Sequence, residues 1–159
     1  MNTIYTENKR AFYDYEFLER FEAGIVLKGF EVKAVKSGRV NLAGSYAVPK
    51  AATTRSRSSG STGVELWLLN TDIPPYQPGN TPPDYDPKRS RRLLLKHDEI
   101  KYLLGKVRTG LTILPVKVYT KHGLVKIELA LAKPKKKYDK RETIKKREAK
   151  REIARTLRE

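Results

Sequence analysis

The last 27 residues, Lys133 to Glu159, set the first limit on the fold, because they cannot join a core. They hold 13 Lys/Arg against 5 Asp/Glu, and their large aliphatic side chains are Ile144, Ile153 and Leu157. So little apolar surface does not offset the entropy of ordering the segment. Alone in solution it is expected to be largely disordered. Any hydrophobic core must come from the residues before it, which suffice for one domain.

The same segment reads as a latent helix. Asp139 with Glu142 three residues later is a capping-box spacing, and an acid suits the positive end of the helix dipole. No Pro or Gly follows Asp139. Glu142/Lys146, Glu148/Arg151 and Glu152/Arg155 place opposite charges side by side on a helix, while Ala149, Ile153 and Leu157 form a thin apolar line. The cationic face calls for an anion, and a polyphosphate surface, RNA or DNA, supplies one. The alternative is a solvated tail that only aids solubility. Half of the net charge of +16 lies outside this segment, and such a body favours nucleic acid through counterion release. An anionic membrane is the weaker competitor, since the tail lacks a broad apolar face.

Other chemistries find little support. There is no cysteine, which excludes disulfides and thiolate metal sites. His97 and His122 lie far apart, so neither a metal nor another cofactor is expected. No apolar run reaches membrane-spanning length, and Met1–Thr6 carries no signal-peptide core, so a soluble, cytoplasmic protein is expected. Gly24 and Gly29 have phosphate-loop spacing, but Phe30-Glu31 follows where Lys-Ser/Thr is required. No Gly-x-Ser-x-Gly elbow occurs, and Asp84 and Asp86 sit among prolines as turn residues. The chain reads as a binding protein, not an enzyme.

Along the body, Tyr13, Tyr15, Phe17 and Phe21 predict an alternating strand broken at Gly24. Phe30–Lys36 reads as a short helix with Gly38 as its C′ residue. Leu42–Val48 and Val64–Leu69 read as strands joined by the small, polar, flexible loop 51–63. Residues 73–87 hold six of the nine prolines and form a long connection. Ile100, Leu103, Leu104 and Val107 have the i, i+3, i+4, i+7 spacing of a helix. Leu111–Thr120 and Leu124–Ala132 flank a hairpin turn at Lys121-His122-Gly123. These elements predict a mainly β fold, a compact antiparallel barrel of the OB type with flanking short helices; spacing alone does not separate it from another small barrel. The expected division is a flexible N-terminus over 1–7, a barrel over 8–132 and the basic tail over 133–159. The basic groups Lys9-Arg10, Lys33/Lys36/Arg39, Lys88-Arg89/Arg91-Arg92 and Lys117/Lys121/Lys126 offer a track for phosphates.

Several segments together resemble the SmpB family, the SsrA-binding proteins of bacterial trans-translation. They are Asn8-Lys9-Arg10-Ala11, Phe21-Glu22-Ala23-Gly24-Ile25, Gly29-x-Glu31-Val32-Lys33, Leu66-Trp67-Leu68, Arg92-Leu93-Leu94-Leu95, Gly105-Lys106-Val107 and Val125-Lys126-Ile127. In the tail, Asp139-Lys140-Arg141-Glu142 and Lys146–Glu152 continue the likeness. The resemblance implies an OB-type barrel that binds the tRNA-like domain of tmRNA and brings it to stalled ribosomes. It also implies a tail that turns helical in the vacant message channel beside small-subunit rRNA. On that basis Asn8, Lys9, Arg10, Glu22, Lys36, Leu94 and Lys126 are the RNA-facing candidates. Lys136, Lys137, Tyr138, Asp139, Lys140, Arg141 and Ile153 are the decoding-centre and tail candidates. For Glu22 the competing reading is a carboxylate bonded within the protein, and for Leu94 a core leucine. Departures are the long 51–63 loop, Tyr13 where a histidine is common, and Lys133–Tyr138 in place of a Gly-Lys-Lys segment followed by histidine. A structural rRNA-binding protein of the ribosome is the alternative from another class; a nucleic-acid-processing enzyme is the weaker third.

Overall fold

The computed structural model describes residues 2–52 and 63–157. The elements are β1 (Thr3–Glu7), α1 (Lys9–Asp14), β2 (Tyr15–Ile25), α2 (Gly29–Lys36), β3 (Tyr46–Ala51), β4 (Val64–Leu69), β5 (Arg91–Leu94), α3 (His97–Arg108), β6 (Thr112–Lys121), β7 (Leu124–Pro134) and α4 (Lys137–Thr156). The sheet runs β6-β3-β4-β5-β2-β7, and β7 pairs again with β6, which closes the barrel. All pairings are antiparallel. Closure pairs β6 with β7 where an open sheet would present two edges, and β1, joined to β6 alone among the described residues, is the edge that remains.

The barrel is filled by the inward positions of successive strands. Leu66 and Leu68, Leu93, Ile113, and Ile127, Leu129 and Leu131 are each no more than 2% exposed. Helix α3 adds Leu103 and α2 adds Ala34 and Val35. The expected periodicities hold for α3, for α2 and for the β6–β7 hairpin. In that hairpin His122 (φ 51°) and Gly123 (φ 77°) both take the left-handed region that a tight two-residue turn demands.

Several expectations need correction. Residues before Asn8 are not a loose end: Thr3–Glu7 pairs with β6 from Thr120 to Lys117. Strand β7 occupies the other edge of β6, and β3 meets it at Ile113 alone, leaving room for β1. Tyr13 lies in α1, because the Asn8 side chain caps a helical turn there and the strand starts only at Tyr15. Gly24 does not break β2; it pairs with Leu94 on one side and Lys126 on the other. Strand β3 begins at Tyr46, since Asn41 makes an isolated bridge to Asp72 and the chain turns at Gly44 (φ 76°). The barrel also runs past Ala132, with Pro134 opposite Tyr15. Most of the predicted 51–63 loop lies outside the described residues; its base is closed by Ala52 N–H donating to Gly63 O at 2.8 Å.

Helix α4 starts earlier than the spacing suggested. Lys136 is its N-cap, and the Asp139 carboxylate accepts from the Lys136 N–H at 3.2 Å, the position assigned above to Glu142. None of its three predicted acid–base spacings closes into an ion pair among the described residues. Solvent screening and side-chain entropy leave little to gain from such exposed pairs.

Candidate nucleic-acid interface

Pleating sends alternate residues of each strand outward, and strand register decides which of them become neighbours. Leu94 of β5 stands opposite Gly24 of β2, Gly24 opposite Lys126 of β7, and Lys126 opposite Tyr119 of β6. One pleat away, Glu22 faces Glu128, which faces Lys117. Residues distant in sequence thus form one outer patch.

The two acids of this patch are covered by their neighbours. Glu128 accepts from Arg20 at 2.9 Å and pairs with Lys117 at 2.9 Å. Glu22 accepts a hydrogen bond from the Tyr119 hydroxyl and lies 3.0 Å from Lys121 Nζ. The Tyr119 hydrogen bond, then that from Lys121, hold the Glu22 carboxyl below its ordinary range. Burial and the Glu22 carboxylate together push the Tyr119 hydroxyl up. Tyr119→Phe is therefore expected to raise the Glu22 titration midpoint, measured by carboxyl carbon-13 NMR; an unmoved midpoint would show the hydroxyl to be a bystander. Among the described residues the Lys126 side chain makes no hydrogen bond or ion pair, though its charge is felt by Glu22, and it stays available to an incoming phosphate.

Leu94 is not a core leucine. Alternation in β5 turns Leu93 inward and leaves Leu94 49% exposed. It borders a groove of about 260 Å³ shared with Gly24, Leu27, Leu124 and Lys126. Glycine matters there, because a Cβ at position 24 would lie 3.2 Å from Leu94 Cβ.

On α1 the candidate residues separate. Asn8 is 4% exposed and spends its side chain inside the protein: Nδ2 donates to the carbonyls of Pro115 (2.9 Å) and Leu42 (3.2 Å), and Oδ1 accepts from Ala11 N–H. Both of its side-chain donors are used within the protein, and it fixes the helix that presents Lys9 and Arg10, both exposed. Lys36 is exposed at the end of α2. In the tail Lys136, Lys137, Tyr138, Asp139 and Arg141 are exposed, Lys140 is half-buried beside Asp14, and Ile153 stands on the far part of α4, which has no buried residue.

In the basic run at 88–92, Arg89 and Arg91 are withdrawn from the cationic surface, while Lys88 stays exposed. Arg91 is fully buried and donates to Glu31 through Nε (3.1 Å) and Nη2 (2.9 Å). Arg89 adds a second fork on the same carboxylate at 2.5 and 2.8 Å, and the Tyr85 hydroxyl donates to it at 3.1 Å. Arg92 pairs with Glu65 at 3.2 Å. Burial alone would raise the Glu31 pKa, but the Arg89 hydrogen bonds, the Lys28 N–H and the Arg91 charge bring it to about 2. The sequence held a signal for this cluster. Glu31 shares a helical face with Leu27, Ala34 and Val35, and Arg91 shares the inward face of β5 with Leu93.

Among the described residues no cluster of His, Asp or Glu has the makings of a metal site, and no helix is long and apolar enough to cross a membrane. A closed barrel with an uncommitted lysine beside an apolar groove, and a cationic helix standing off it, defines a nucleic-acid-binding protein. The family model described as SmpB protein matches residues 5–159. An SsrA-binding protein of Carboxydothermus hydrogenoformans is 49% identical over 99% of this chain and 98% of its own length. That of Trichodesmium erythraeum is 43% identical over 98% and 93%. A solved chain described by the words "tmRNA-SmpB: a journey to the center of the bacterial ribosome" is 43% identical, with a TM-score of 0.63 over 84% of this chain and 85% of that one. The chain belongs to the SmpB family.

Proposed function

We propose that this chain is an RNA-binding adaptor of trans-translation, which binds the tRNA-like domain of tmRNA and delivers it to stalled ribosomes. The observation that carries this reading is the match to SsrA-binding proteins along nearly the whole chain, barrel and tail alike. The family is one of RNA-binding proteins. Its place of work on this reading is the cytoplasm, where the ribosomes are.

Phosphate attraction falls to Lys9, Arg10, Lys36 and Lys126, which are among the exposed or uncommitted cations of the body. Leu94 and its groove offer apolar contact to an RNA face. Glu22 has lone pairs beyond those used by Tyr119 and Lys121, which suits a base or 2′-hydroxyl donor. Asn8 acts at one remove, by holding α1. Lys126→Ala is expected to weaken tmRNA binding and to reduce the slope of log affinity against log salt by about 1. A slope unchanged in a salt titration would remove Lys126 from the interface.

Lys136, Lys137, Tyr138, Asp139, Lys140 and Arg141 lie near the decoding centre on this reading, and the length of α4 with Ile153 enters the vacant message channel. Helix α4 buries none of its residues, and helical stability in proteins comes mostly from packing an apolar face. Ordering of its outer turns therefore waits for rRNA phosphates.

The deciding experiment sequences the RNA that co-purifies with the full chain from its native cells. Enrichment of tmRNA, with the protein released from ribosomes by a high-salt wash, is the expected result. Retention at one copy per ribosome through that wash would instead establish the structural ribosomal alternative.

A further inference from the structure

We infer that Asp14 is a positioning residue for the tail, its carboxylate tethering the first turn of α4 to α1. Three contacts join these elements. Lys135 N–H donates to the Asp14 carbonyl at 3.0 Å, Lys135 Nζ donates to the Phe12 carbonyl at 3.0 Å, and Lys140 Nζ lies 3.2 Å from Asp14 Oδ1. The first two use backbone acceptors and continue the pairing of Tyr15 with Pro134. They fix where the tail leaves the barrel. They do not by themselves fix its direction, because the non-helical backbone of Lys136 lies between them and the first residue of α4. Past that swivel the Lys140–Asp14 pair, five residues further along, is the charged clamp, beside a longer hydrogen bond from Lys135 Nζ to Thr143 Oγ1 at 3.5 Å.

Asp14 suits the task for a second reason. Its other oxygen, Oδ2, lies 3.5 Å from Arg10 Nε, so one carboxylate gathers a cation from α1 and a cation from α4. Two positive charges on one acid leave the spot cationic. The clamp therefore orients α4 without cancelling the attraction of the site for phosphate. The free protein then presents α4 already aimed, and only its outer turns await RNA. This role in delivery rests on the adaptor reading above; the tether itself does not.

The test has two arms. In the free full-length protein, backbone order parameters at Asp139–Arg141 are expected near about 0.85, falling below about 0.6 in Asp14→Asn and recovering in Asp14→Glu. Lys140→Gln, which breaks the same pair from the tail side, should reproduce the loss. Native values already as low as those of Asp14→Asn, or no recovery in Asp14→Glu, would overturn the tether. In the second arm, Asp14→Asn is expected to keep native tmRNA affinity while tagging on stalled ribosomes drops by about two- to fivefold, the range an exposed ion pair can supply. Tagging unchanged despite lost order, or tmRNA affinity falling in parallel with tagging, would overturn the positioning role. If the native protein bound no tmRNA, the adaptor reading alone would fail, and the relaxation arm would still decide the tether.

Discussion

Glu31→Gln is expected to destabilise the protein by about 3–5 kcal/mol, the usual consequence of removing one partner from a buried ion pair. Arg91 has no exposure at all and finds two of its donors on Glu31. Its remaining contacts are to the carbonyls of Thr71, Pro87 and Arg89 and to the Tyr85 hydroxyl, none of which can neutralise the guanidinium. Urea denaturation followed by circular dichroism measures the loss. With an m-value of about 1–3 kcal/mol/M, the midpoint should fall by at least about 1 M. A midpoint within experimental error of the native protein would show the cluster to be dispensable.

The pH response of the same variant provides an independent check. The Glu31 carboxyl titrates at about 2 in the folded chain against 4.5 as a free group. Because the folded value is depressed, its stabilisation is fully present above pH 4.5 and is lost as pH falls toward 2. The difference amounts to roughly 3 kcal/mol by the linkage relation. Between pH 5 and 2 the native protein should therefore lose stability more steeply than Glu31→Gln. Parallel curves would mean that Glu31 does not carry the acid sensitivity.

Removing the chain from Lys137 onward is expected to spare tmRNA binding and abolish tagging on stalled ribosomes. Helix α4 has no buried residue, so its loss opens no cavity in the barrel and the melting temperature should hardly move. The body surface that carries Lys126, Leu94 and Glu22 is built from β2, β5, β6 and β7, none of which needs α4. A gel-shift titration and a tagging assay on the same preparation separate the two activities. Equal loss of both would show that tail and barrel do not divide the labour in this way.

Much of the architecture was legible from local pattern. The three residues Lys121-His122-Gly123 announced a tight hairpin because a glycine tolerates positive φ and the flanking runs alternate. Ile100, Leu103, Leu104 and Val107 announced α3 because a helix must turn one face to the core. The family tags pointed to Asn8, Glu22 and Leu94, but local pattern did not say what each does. Asn8 is a buried cap with partners at positions 42 and 115, Glu22 is bonded to Tyr119 across 97 positions of sequence, and Leu94 is half exposed.

By itself the sequence determined the period of α2, α3 and β4, the β6–β7 hairpin with its turn, and the exclusion of the last 27 residues from any core. Those properties follow from neighbours within a few positions and from composition. Tertiary structure alone decided that Thr3–Glu7 is a strand, that the inward-facing Arg91 meets Glu31, and that among the described residues the Lys126 side chain is left with no hydrogen bond or ion pair. Each of these depends on which strand lies alongside and in what register. Closing the barrel sets that register, and a shift of one residue would turn every one of these side chains to the opposite face.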